Sequence, residues 1–132
     1  MAVYKFMFLI PNKIYISDGV RSTLGVAVEN HYGFAAILNQ KIPPVTEYVK
    51  ENLEWIRDME GDVFCVVDTM DEEARKYNVD EAGLTPITLE ELAKKTLECD
   101  YIIAYGLPYQ LRELPSMCAD TRTVETAKAE EG

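Results

Sequence analysis

Residues 61–106 read GDVFCVVDTMDEEARKYNVDEAGLTPITLEELAKKTLECDYIIAYG, and the order of apolar and polar blocks along them decides the fold. VFCVV (63–67) is short, apolar on both faces and rich in β-branched residues, which suits a strand covered from both sides, as in a parallel sheet. Residues 68–78 follow as a turn and a short helix. Asp71, Glu72 and Glu73 stand in its first turn, the end where negative charge is favoured. Pro86 and Ile87 read as a minimal strand. Thr88 and Glu91 then have the spacing of a capping box, which opens a helix to about Glu98 with Leu89, Leu92, Ala93 and Thr96 facing inward. YIIAY (101–105) is a last strand, closed by Gly106.

The residues before this stretch extend the same alternation. VYKFMFLI (3–10) is almost continuously apolar and is stopped by Pro11, so it reads as a first strand and not as a signal peptide. After the loop PNKIYIS, Ser17 or Asp18 offers an N-cap for a helix through about Tyr32, with Val20, Leu24, Ala27, Val28 and His31 at helical spacing and Gly33 as the residue past its end. FAAIL (34–38) is a second buried strand. Pro43 and Pro44 open a helix that ends at Gly61, with Val45, Tyr48, Val49, Asn52, Leu53, Ile56 and Met59 along one stripe. Strand and helix thus alternate four times. The expected fold is α/β: a three-layer αβα sandwich around a mainly parallel five-stranded sheet, flavodoxin-like, over residues 1–106. Residues 107–132 form an expected C-terminal arm, apolar at first (Leu107, Tyr109, Leu111, Leu114, Met117), that packs on a neighbouring subunit and ends in the polar TRTVETAKAEEG.

Composition narrows the function classes. The chain has 132 residues, 48% of them hydrophobic and 27% charged, which is ordinary globular content and sized for one domain. Thirteen basic residues against 23 acidic ones give a formal charge of −10. Nucleic-acid binding depends on Lys and Arg displacing counterions, so this balance argues against it and against an anionic membrane surface. No apolar run is long enough to span a bilayer. Cys65, Cys99 and Cys118 are too widely spaced for a C-x-x-C motif and odd in number, so the expected setting is a reducing cytoplasm. Neither a cofactor nor a metal is called for: no Gly-rich phosphate loop, H-E-x-x-H or G-x-S-x-G motif occurs. The acidic residues within 68–73 have the donor type for magnesium and are equally accounted for by helix-end electrostatics.

Open parallel sheets bind ligands outside the carboxyl ends of their strands, where the strand order reverses. In small doubly wound domains that crevice lies between the loops after strands one and three. Asn12, Lys13, Ser17, Asp18, Arg21, Asp68 and Thr69 are therefore the expected ligand contacts, with the amides opening the first helix and the charges of Lys13 and Arg21 suited to a small anion. The same residues also read as caps and solvated charges. A phosphorylated receiver domain is excluded, since it needs an acidic pair after strand one and a lysine after strand five, where this chain has Pro11-Asn12 and Gly106-Leu107-Pro108. The one histidine, His31, has no carboxylate or second histidine at ligand spacing and reads as a cap or core residue. Tyr48 and Trp55, seven residues apart on one helix, suit either sheet packing or a subunit contact.

Residues 61–106 resemble the second half of the DsrE/DsrF-like proteins of sulfur metabolism. The likeness consists of a glycine before an aromatic-containing third strand, a loop into a short helix, an acidic segment, a brief strand, the "LEELAKK" helix and a final apolar strand. Together with the compatible first half it covers most of residues 3–106, by pattern and not by an invariant motif. The resemblance implies a small, usually oligomeric α/β domain, with a sulfur-carrier protein as partner. In some members a cysteine at the end of the third strand carries sulfur as a persulfide. That position falls on Val67, or on Asp68, so the sulfurtransferase-like fold lacks its usual thiol here. Cys65 is the nearest substitute, on the same strand face as Val67 but roughly 6.6 Å deeper into the sheet. Cys118, in the arm, is the other candidate for catalytic sulfur transfer. The expectation is a DsrE-like protein of sulfur relay without the strand-three persulfide. The alternatives are a non-catalytic assembly or partner-binding subunit, here a homo-oligomer, and a small-anion binder.

Overall fold

The structure, a computed structural model, describes residues 2–106. Five parallel strands form one sheet: β1 (Lys5–Ile10), β2 (Tyr32–Ile37), β3 (Asp62–Val66), β4 (Thr85–Ile87) and β5 (Tyr101–Ala104). Helices α1 (Ile16–Val28), α2 (Glu47–Asp58), α3 (Glu72–Lys76) and α4 (Leu89–Leu97) connect them in turn. Across the sheet the order is β4-β3-β2-β1-β5. Crossovers between parallel strands are right-handed, so three successive steps in one direction put α1, α2 and α3 on one face. The return from β4 past the whole sheet to β5 runs the other way, and it puts α4 on the opposite face.

Two cores result. Between the sheet and α1–α3 lie Phe8, Ile10, Val20, Ile37, Val49, Leu53, Ile56, Val63 and Cys65. Between the sheet and α4 lie Met7, Ala36, Phe64, Val66, Ile87 and Leu92. The central strands are buried on both faces, which is why their sequences run apolar without alternation. β5 differs: all four of its residues are exposed.

The element boundaries correct several expectations. Ser17 and Asp18 do not cap α1. They lie in its first turn, after a tight turn at Lys13–Tyr15 that Asn12 caps by accepting a hydrogen bond from Ile14 N at 3.1 Å. The residue past the end of α1 is not Gly33 but Asn30, at φ 71°, a left-handed conformation that asparagine tolerates better than most side chains. Gly33 instead lies in β2 beside Gly61, where a Cβ on Gly61 would stand 2.1 Å from the Gly33 carbonyl oxygen. Helix α2 begins later than the prolines, at Thr46, whose hydroxyl accepts from Val49 N. Along α2 the inward stripe narrows to Val49, Asn52, Leu53 and Ile56, leaving Tyr48 and Met59 exposed. The capping box of Thr88 and Glu91 is formed with both of its hydrogen bonds, 2.9 and 3.1 Å. In α4 only Leu92 is buried, and Leu89 and Ala93 face solvent.

Candidate functional site

Strand order relocates the crevice. With β2 lying between β1 and β3, the loops after strands one and three are not neighbours, contrary to the placement expected from small doubly wound domains. The connections leaving adjacent strands diverge instead between β3 and β4, which lead to α3 on one face and α4 on the other, so the switch point lies there, where Asp68 meets the start of α4. The exits of β1 and β5, toward the other edge of the sheet, are occupied by the protein's own aromatic rings. Tyr105 leaves β5 with its N–H donating to Leu9 O at 2.8 Å, and its ring lies 6.1 Å from that of Phe8 and 6.3 Å from that of Tyr15. The Tyr105 hydroxyl is hydrogen-bonded to Ser22 Oγ on α1. Tyr15, Ser22 and Tyr105 were not legible as rim residues, because nothing in the sequence states which strands become neighbours.

The expected ligand contacts are drawn into other work or left apart. Asn12 is buried and spends its side-chain oxygen on the turn it caps. Lys13 N donates to Gln40 Oε1 at 2.8 Å, and Asn39 N donates to Thr69 Oγ1 at 3.0 Å, whose hydroxyl donates on to Val66 O. The loop after β2 thereby bridges the two loops expected to meet. Asp68 accepts from Leu89 N at 3.1 Å, tying the exit of β3 to the start of α4. Ser17, Asp18 and Arg21 stand exposed on α1, and among the described residues their side chains form no hydrogen bond or ion pair. Two further acidic side chains of 68–73 have partners: Asp71 caps α3 through Ala74 N, and Glu73 pairs with Lys41 at 3.3 Å. His31 receives a hydrogen bond from Tyr4 N at Nδ1 and packs against the rings of Tyr4 and Phe6, as a structural residue does.

The thiols are the other candidate chemistry. Cys65 lies in β3 with no exposed surface. Its Sγ is 3.4 Å from Met70 Sδ, and the Asn78 amide donates to the same sulfur, also at 3.4 Å. Asn78, fully buried, further accepts from Ile42 N and donates to Gln40 O, so its side chain joins the exit of β2, the loop after β3 and the turn after α3. Burial pushes the Cys65 thiol up from its ordinary pKa, against smaller opposing effects of Asn78 and Arg75. The thiolate is the nucleophile, so this environment disfavours sulfur transfer. Cys99 is half-buried behind α4, donates to Lys95 O, and is likewise raised by burial. Val67, at the strand exit, begins a tight turn and carries no thiol. Cys118 and the proposed arm, 107–132, lie outside the described residues.

No family model matches the chain, and no curated protein matches it in sequence. Among solved structures it is similar to the crystal structure of the ychN protein from E. coli, at 12% identity and a TM-score of 0.56, over 79% of this chain and 100% of that one. No described helix is long and apolar enough to cross a membrane. What the likeness shows is the architecture: an α/β domain with a five-stranded parallel sheet, of the DsrE-like fold.

Proposed function

We propose that this protein is a DsrE-like subunit associated with sulfur relay that acts through assembly and partner binding, and not through a persulfide on its third strand. The observation that carries this reading is the state of Cys65: enclosed within the sheet core, in contact with Met70, and held protonated by its burial. A carrier cysteine must reach a donor and an acceptor in turn, and it must ionise to attack sulfane sulfur. Cys65 is built for neither. The association with sulfur relay is supported by the pattern of residues 61–106 and by the shared fold.

The test is intact-mass analysis after reduced protein is treated with inorganic polysulfide, with wild type, Cys65→Ser and Cys118→Ser compared. Attack of a thiolate on the terminal sulfur forms the protein S–S bond and releases a shortened polysulfide. The expected result is no added sulfur on folded wild type. A sulfur adduct lost in Cys65→Ser overturns the burial argument, and one lost in Cys118→Ser assigns carriage to the arm and overturns the non-carrier reading. Light scattering on the same samples is expected to give more than a monomer, and a strict monomer at micromolar concentration would remove the assembly half of the proposal.

A further inference from the structure

A second surface stands apart from the rim. Between the outward sides of α1 and α2 lies a groove of about 550 Å³ lined by Leu24, Tyr48, Glu51, Asn52, Glu54 and Trp55. Tyr48 and Trp55 are 56% and 58% exposed. Seven residues of helix bring the two rings back to nearly the same bearing, two turns or about 10.5 Å apart. A helix that needed only to cover the sheet would not hold two large rings in water on this side.

The polar groups around the rings are unmatched. Glu47, on the same helix, lies 3.9 Å from Lys50, whereas Glu51 and Glu54 have no ion-pair partner among the described residues. Asn52 is only 7% exposed, and its Nδ2 is a buried donor with no hydrogen-bond partner. Buried amides are nearly always paired, so this donor, enclosed just beneath the wall of the groove, would gain its missing acceptor if a small turn of the side chain brought it to an occupant. The three features therefore complement different parts of one occupant. Ring faces attract a cation, and guanidinium groups most readily. Free carboxylates hold the same charge, and the Asn52 amide fits a carbonyl oxygen of the backbone that carries it.

We propose that this groove docks a basic peptide segment of a partner protein, with an arginine or lysine side chain laid over Trp55 and Tyr48 and fixed by Glu51 and Glu54. The formal charge of −10 favours approach of such a partner. A two-fold contact with a second copy on this face would instead bring the same carboxylates toward one another. The inference does not depend on the sulfur reading, since the groove and the thiols are separate parts of the molecule.

Trp55 is the chain's single tryptophan, so its emission reports on the groove directly. The full chain is titrated with a capped peptide of alternating arginine and glycine, with the glutamate counterpart as control. Expected is a saturable change in emission with the arginine peptide alone, weakened by added salt. By anisotropy of a labelled peptide, the double variant Glu51→Gln/Glu54→Gln and the single variant Trp55→Ala each lose about tenfold in affinity. The pair Glu72→Gln/Glu81→Gln, equal in charge but remote from the groove, leaves affinity unchanged, and circular dichroism confirms that every variant is folded. The proposal is overturned if the remote pair weakens binding as much as the groove pair, if free arginine binds as tightly as the peptide, or if Trp55→Ala dissolves a dimer of the chain without affecting the peptide.

Discussion

On one side of the sheet, three helices bury Ile16, Val20, Val49, Leu53, Ile56 and Ala74 against β1, β2 and β3; on the other, α4 contributes Leu92 as its one buried residue. The inequality follows from strand order. Three crossovers in one direction crowd one face, and the single return connection must serve the other alone. The sparse face is completed by a charged side chain. Lys95 of α4 lays its stem along the sheet and its ammonium 4.5 Å from the ring centre of Phe34 and 5.7 Å from that of Phe64. Long cationic side chains cover apolar surface in this way while keeping the charge wet. A face held by one helix and one lysine is expected to yield before a face held by three helices.

Truncation is the hardest test of that contrast. Ile56→Ala, at a fully buried position of the crowded face, is expected to cost about 3–4 kcal/mol in urea unfolding, and Leu92→Ala about 2–3 kcal/mol, because the thin face relaxes more easily around a cavity. Equal losses would break the comparison. The thiols give an intermediate effect. Cys65→Ser buries a hydroxyl beside a thioether and is expected to cost about 1–2 kcal/mol, against less than about 1 kcal/mol for the half-buried Cys99→Ser.

The same pair sharpens the comparison through pH. Folding raises both thiol pKa values, mainly by burial, so the unfolded chain ionises first as pH climbs. The stabilising contribution is whole below the ordinary thiol range and is lost as pH rises through it toward the folded value. Cys65→Ala is therefore expected to flatten the alkaline fall in stability more than Cys99→Ala, as read by urea midpoints across an alkaline series. The smallest effect belongs to Lys95. Lys95→Met keeps most of the stem and removes the charge, with an expected loss of about 0.5–1 kcal/mol, and no loss would show that the stem alone covers the rings.

The regular elements were legible because local chemistry dictates them. The apolar runs at 3–10, 34–38 and 63–67 became strands over 5–10, 32–37 and 62–66, and the Thr88–Glu91 spacing became a capping box. The last turn of α1 was misplaced because Asn30 takes the left-handed conformation for which Gly33 had been read. The rim was not legible. Whether β1 adjoins β3 or β5 is set by long-range packing, which no local spacing encodes, so Asn12 and Thr69 were grouped while Tyr15 and Tyr105 were passed over. Asn78 was hidden for the same reason: its partners at Gln40, Ile42 and Met70 come together only in three dimensions. Valine at the strand exit, in contrast, needed only counting along the chain.

One consequence follows from where the sheet places its sulfur atoms. Cys65 belongs to the core beneath α1–α3, and Cys99 packs against the core beneath α4. A disulfide needs α-carbons within about 7 Å and side chains directed toward each other. A closed layer of backbone stands between these two. Oxidation can therefore not cross-link them within one folded chain, and any internal bridge joining them would be a marker of molecules that had first come apart.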